Sequence, residues 1–282
     1  YSPAVARYRV IVIEDADRMA ERTSNVLLKA LEEPPERTVW ILCAPSEADL
    51  IPTIRSRVRS VRLRVPSVAD VAALIESRDG VDAATAERAA RHAQSHIGMA
   101  HRLATNPEAA ARREETVRLV LNIMTVREAV LAAARMIEIA TDDAKALTDE
   151  RDAVELEQLR RSMGIAEGDA VPANMRSQVK GLEEQQKRRA TRSLRDGLDR
   201  ILVDLLSVYR DVLRIQLGVN EELINTEFEP ELRAAAQART SEDTLATMEA
   251  IGEARSRIDS NVAPALAMEA LLIRASRSEI PA

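Results

Sequence analysis

Between Val126 and Leu217 the chain carries a helical pattern with a single interruption, and no other feature constrains the fold as much. One helix is expected from about Val126 to Met163, which at ~1.5 Å per residue reaches about 55 Å. Gly164, Gly168 and Pro172 break it, because glycine weakens a helix and proline removes a backbone donor. A second long helix is expected from about Asn174 to Leu217, with Leu194, Leu198, Ile201, Leu205, Tyr209 and Val212 along one stripe. Two such helices joined by a short break can bury that stripe only by folding back as an antiparallel hairpin. Its tip falls at about 164–174, and the polar tip half is expected to project. Composition agrees: only 2% of residues are aromatic and only eight are glycine, which argues against an all-β fold with many tight turns.

The N-terminal 65 residues read differently. Val10–Ile13 and Thr38–Cys43 are short apolar, β-branched runs of the kind that form parallel strands covered on both faces. Between them lies a helix carrying Val26, Leu27, Leu28 and Leu31, ended by Pro34 and Pro35. A short helical segment ending near Arg57 and a third strand over Val58–Val65 follow. Strand, helix, strand, helix, strand describes α/β structure with a parallel sheet. Three strands are too few for a complete sheet, and the chain starts at Tyr1 without an initiator Met, so an N-terminally truncated chain is expected.

After Pro66 the pattern changes. Ser67 is placed to cap a helix reaching about Arg78, and Asp79-Gly80 makes a turn. Helices over about Ala83–Gln94 and from Gly98 to Asn106 complete a three-helix module. Beyond the long hairpin, helices are expected over about 229–237, 241–259 and 264–275, with Ser241 as a candidate cap.

The net charge of −6 excludes a protein that coats nucleic acid by bulk attraction. The single cysteine, Cys43, excludes an intrachain disulfide and a four-cysteine zinc site, and reads as a core thiol at a strand end. His92 and His96, four apart on a helix, have metal-ligand spacing but no third ligand in the sequence nearby; a polar helix face is the plainer reading. The Lys187–Arg195 cluster alternates with Glu183, Glu184, Asp196 and Asp199 and reads as a salt-bridged surface. No apolar run is long enough to span a bilayer, and a cytoplasmic chain is expected.

Two segments carry candidate chemistry. Glu14, Asp15 and Asp17 stand at the C-terminal end of an apolar strand, where many NTPases hold Mg²⁺ and polarise water. The phosphate-binding loop with its lysine is absent from these residues, so this chain alone is not expected to hydrolyse ATP. The second segment holds five arginines and no acid between Ile51 and Arg64, including Arg55, Arg57 and Arg59. From spacing alone it could meet DNA phosphate, reach a neighbouring nucleotide, or stay solvated.

The wording of these segments resembles one family. Asn25–Pro35 (NVLLKALEEPP) is similar to the helix after the Walker B strand in bacterial clamp-loader subunits, and Pro52–Arg57 (PTIRSR) to that family's SRC motif. Gly98–Ala104 stands where the family has its sensor 2 element, and Gln186–Arg192 and Asn261–Glu269 resemble collar sequences. The chain thus resembles the delta-prime subunits of bacterial DNA polymerase III clamp loaders, AAA+ proteins, of the actinobacterial type.

The resemblance implies a fold that is mainly α with a partial α/β parallel sheet. Its parts would be an AAA+ core remnant over 1–65, a three-helix lid over 66–108 and an all-helical collar with a long hairpin over 109–282. It further implies Arg57 as an arginine finger acting in trans, with Arg55 and Arg59 supporting it. Glu14 and Asp15 would mark a degenerate Walker B, and His101 and Arg102 a degenerate sensor 2. ATP and Mg²⁺ would sit at the neighbouring subunit. Implied partners are the gamma/tau and delta subunits and, through the complex, the sliding clamp and primer-template DNA.

Departures from the pattern agree with a degenerate site. The Walker B pair is reversed as Glu14-Asp15, Val58 replaces the cysteine of the SRC motif, His101 replaces the sensor 2 arginine, and Ala44-Pro45-Ser46 stands at sensor 1. Three alternatives stay open: a gamma/tau-type motor ATPase, a non-catalytic helical scaffold, and another AAA+ machine such as a branch-migration helicase.

Overall fold

The computed structural model describes residues 7–19, 21–163, 165, 172, 176–220 and 222–276. The chain divides into two compact units, Tyr1–Val65 and Pro66–Ala282.

In the smaller unit, β1 (Arg9–Ile13) and β2 (Thr38–Leu42) pair in parallel, Arg9 opposite Thr38 and Ile13 opposite Leu42. Helix α1 (Glu21–Glu32) crosses between them and stops before Pro34 and Pro35. The four-residue α2 (Pro52–Arg55) begins on proline, whose fixed φ suits the first turn. Leu27, Leu28 and Leu31 of α1 pack with Ile54, Leu50, Ile13 and Leu42 in one apolar cluster.

Three expectations fail in this unit. The strands are covered on one face only: Val10, Val12, Val39 and Ile41 are exposed, because the helices lie on the other side and no described element covers this one. The strand expected over Val58–Val65 does not form. Val61, Leu63 and Val65 alternate as a strand would, but the segment has no ladder partner among the described residues, and an unpaired strand does not persist in water. Cys43 is exposed rather than a core thiol, since it lies just past the end of β2.

Helices are the only regular elements among the described residues of the larger unit. Helices α3 (Val68–Asp79), α4 (Ala83–His92) and α5 (Ile97–Thr105) share a small core of Val71, Ile75, Ala86, Ala90, Ala93 and Ala100. Their starts are set by side-chain caps: Ser67 with Asp70 in a reciprocal box, Asp82 onto Thr85, and His96 Nδ1 accepting from the Met99 N–H at 3.1 Å. Gly80 ends α3 with φ 68°, a conformation that glycine adopts without strain.

Helices α6 (Pro107–Leu121), α7 (Val126–Ser162), α8 (Arg176–Gln216), α9 (Glu229–Gln237), α10 (Ser241–Asp259) and α11 (Pro264–Ala275) surround a second core. Val117, Met136, Leu198, Leu202, Leu205, Leu232, Met268 and Leu272 fill it. The expected hairpin is α7 with α8, and most of its predicted tip, 164–174, lies outside the described residues. A Cβ on Gly197 would stand 3.2 Å from the Ala140 carbonyl oxygen, so glycine lets the two helices approach closely there.

The Lys187–Arg195 cluster is salt-bridged, though across the hairpin rather than along one helix. Arg189 pairs with Asp152 and Glu155 of α7, and Arg195 reaches Asn261. Thr240, not Ser241, caps α10, because only from 240 does the third residue of the helix supply an acid, Asp243, to complete the box.

A buried polar network ties α8 to the segment before α9. The Asp211 carboxylate, fully buried, accepts the backbone N–H groups of Ile224 and Asn225 at 3.0 and 2.8 Å and the Asn225 side-chain amide at 2.9 Å. Removing the carboxylate strands three buried donors. Asp211→Ala is therefore expected to cost about 3 kcal/mol or more of stability, measured by urea unfolding; a loss below about 1 kcal/mol would show that water replaces the carboxylate.

Candidate functional site

Arg57 follows the C-cap of α2, and its position is set by its neighbours. Ile54, 1% exposed, anchors α2 in the apolar cluster, which leaves Arg55 and Arg57 outside it. The Arg57 guanidinium donates from Nε to Glu32 Oε1 at 2.7 Å, and Nη2 lies 2.5 Å from the same oxygen. Nη1 donates to the Thr53 carbonyl at 2.9 Å and to Ser56 Oγ at 3.1 Å. Both groups of the pair remain partly exposed. A permanently charged planar fork is thus held at the surface on a short, proline-started turn.

Glu14 and Asp15 follow directly on β1 and are exposed. Asp15 adopts a left-handed backbone, φ 50° and ψ 45°, a conformation that aspartate tolerates better than most residues. The turn is fixed by Cys43 N–H donating to the Ile13 carbonyl and Ala16 N–H to the Cys43 carbonyl, each at 2.8 Å. Asp17 Oδ1 is buried with no hydrogen-bond partner. Arg57 binds Glu32 rather than these strand-end carboxylates. Among the described residues no group of three His, Cys, Asp or Glu side chains could hold a metal ion.

His101 and Arg102 belong to the larger unit, and both are engaged within it. His101 Nδ1 lies 2.7 Å from Asp79 Oδ2. Arg78, at 2.8 Å, is the larger cause holding the Asp79 carboxyl down at about 2, and His101 adds to it. Arg102 pairs with Asp143 of α7 at 2.9 Å, and Arg112 of α6 meets the same carboxylate at 2.5 Å. Arg102 therefore joins three helices. His92 meets Glu227 at 2.9 Å, and burial pushes its imidazole below its ordinary value, so the ring favours the neutral form.

His92, Arg102, Arg112 and Asp143 border a cavity of about 330 Å³ between α4, α5, α6, α7 and α8; His101 does not reach it. Sequence reading did not find its buried wall. Arg113 donates to Asp204 at 3.0 Å and to Asn225 at 2.6 Å, partners 91 and 112 residues away. Nor did it find Glu32 as the partner of Arg57, although the double acid before Pro34 was visible in the sequence.

Two family models match the chain, both described as DNA polymerase III, delta subunit. One spans residues 1–67; the other, the C-terminal part of that subunit, spans 192–277. The DNA polymerase III subunit delta' of Haemophilus influenzae is 36% identical over 74 residues, 26% of this chain and 23% of that protein. Subunit gamma/tau of Mycobacterium tuberculosis is 37% identical over 65 residues, 23% of this chain and 11% of that protein. Subunit tau of Escherichia coli is 34% identical over 71 residues, 25% of this chain and 11% of that protein. The chain thus spans between about a tenth and a quarter of the length of these relatives.

Matches at both ends to subunits of one polymerase define a subunit of the clamp-loader type. The chain belongs to the DNA polymerase III delta-subunit family, and its relatives are consistent with the delta-prime type.

The wall of the cavity titrates. Burial pushes the Asp204 carboxyl up to about 6, against the opposing pull of Arg113. An unfolded aspartate titrates near ~3.9, so the folded chain holds this proton more tightly, and the contribution is full at low pH and lost as pH rises through about 6. Asp204→Asn, which cannot ionise, is expected to lose less stability than the parent chain between about pH 4 and pH 7. Parallel melting-temperature profiles for the two proteins would contradict this assignment.

Proposed function

We propose that this chain acts as a subunit of an ATP-driven clamp loader in DNA replication and supplies Arg57 in trans to the ATP site of an adjacent motor subunit. The observation that carries this reading is the placement of Arg57: a guanidinium at the surface, on a turn whose apolar side is locked into the core. Its wording as part of PTIRSR and the match over 1–67 support the same assignment. The guanidinium would stabilise charge developing on the γ-phosphate; fingers of this kind contribute about 10³–10⁵ in rate in other NTPases.

The reading of the rest follows. Residues 1–65 would be an AAA+ core portion, α3–α5 a lid, and α6–α11 one sector of a collar built with gamma/tau and delta subunits. ATP and Mg²⁺ would be bound by the neighbour, and the assembly would open a sliding clamp and release it on primer-template DNA. In this chain His101 and Arg102 are already committed to Asp79 and Asp143, which supports a degenerate site rather than a motor. No helix among the described residues is long and apolar enough to cross a membrane, which agrees with action in the cytoplasm.

DNA-stimulated ATPase and clamp loading by the reconstituted complex test this, with full-length protein carrying Arg57→Ala. A loss of about tenfold or more with assembly intact is expected, since the finger carries at least that share of the rate. Unchanged rates would leave the chain as a helical scaffold of the ring.

A further inference from the structure

We propose that Glu32 is a latch that stows Arg57 until a neighbouring nucleotide draws it out. The proposal rests on the reading of Arg57 as a finger in trans and adds a positioning residue that restrains it.

A guanidinium has five N–H donors. Three of those on Arg57 make hydrogen bonds within its own unit, Nε to Glu32 Oε1 and Nη1 to Thr53 O and Ser56 Oγ, and Nη2 is ion-paired at 2.5 Å with the same Glu32 oxygen. A finger in this arrangement has only the Nη2 donors left for phosphate, and that nitrogen, like the charge it carries, faces the Glu32 carboxylate. To clasp a γ-phosphate it must leave Glu32.

The carboxylate is well placed to hold it. Glu32 is the last residue of α1, where the helix's negative end disfavours an acid and favours a cation beside it. The Thr53 carbonyl lies in the last turn of α2, where carbonyls lack helical partners. Arg57 therefore rests between the carbonyl-bearing ends of two helices, bonded to a carbonyl of one and to the terminal acid of the other. The two ends are held in register by Leu27, Leu28, Leu31, Ile51, Ile54 and Val58 in one apolar cluster, so the pairing is built into the unit.

The pair is also easy to open. The side chains are 36% and 47% exposed, and water and salt weaken an ion pair at that exposure. A phosphate with more than one negative charge, also a bidentate acceptor for arginine, outcompetes a single carboxylate. Strong enough to hold the resting state and weak enough to lose to phosphate, the contact couples finger release to the neighbour's nucleotide.

The test uses full-length protein in the reconstituted complex, comparing Glu32→Gln, Glu32→Ala, Arg57→Ala and Glu32→Gln/Arg57→Ala. The readouts are ATPase without DNA, ATPase with primed DNA, and assembly by size-exclusion chromatography. Loss of the latch is expected to raise the DNA-independent rate about two- to fivefold, the range an exposed ion pair can supply. The stimulation by DNA then shrinks by the same factor, and the double variant behaves like Arg57→Ala. A merely structural role for Glu32 would not abolish its own effect in the Arg57→Ala background. If Arg57→Ala lowers the rate while both Glu32 variants match the parent or fall below it, the latch is wrong and the finger stands. If Arg57→Ala changes nothing, the finger falls and the latch with it.

Discussion

Helix α8 enters the core of the larger unit at a close crossing, where Gly197 brings its backbone near Ala140 of α7. From that contact onward Leu198, Ile201, Leu202, Leu205 and Tyr209 enter the shared core at helical spacing, where α9, α10 and α11 close over them. A Cβ at 197 would stand 3.2 Å from the Ala140 carbonyl oxygen, so the α7 backbone would have to give by a few tenths of an ångström there. The cavity that borders Arg102, Arg112 and Asp204 lies beside this crossing, with Gly197 and Ala140 both in its wall. The polar joint between α4–α6 and the long hairpin thus sits beside a close contact between two small residues.

Much of this was legible in the sequence because element ends are local events. Prolines at 34, 35, 52 and 107, Gly80, and the acids three residues after Ser67 and Thr125 mark where helices start and stop, and each acts within a few residues of itself. The long helices were readable from periodicity over many turns. The third strand was misread for the opposite reason. Val61, Leu63 and Val65 have a strand's alternation, but a strand exists only with a neighbour, and pairing is not a property of the segment. Coverage of the sheet on both faces likewise depends on elements elsewhere.

Charged partners were the least legible part of the site. Arg57 was recognisable as a candidate, yet its partner lies 25 residues earlier on a different helix. Arg113 finds Asp204 and Asn225 at still greater separation. Charge alternation suggested pairing along α8 for the 187–195 cluster, whereas Arg189 pairs across to α7, because the hairpin places Asp152 and Glu155 within reach.

The candidate site residues divide by what holding them costs to undo. Arg102 shares Asp143 with Arg112 where both arginines and the acid are largely buried, so freeing it for a nucleotide would leave charge uncompensated in a poorly solvated joint. Its pairing belongs to the architecture. Arg57 also has an acid partner, but at the surface, where separating the charges lets water take both. A guanidinium that must sometimes hold its own chain and sometimes a phosphate has to be paired where the exchange is nearly even. Of the arginines carried forward from the sequence as site residues, Arg57 meets that condition and Arg102 does not, which is why the proposed finger is the arginine of the short turn after α2 and not that of the joint beside α5.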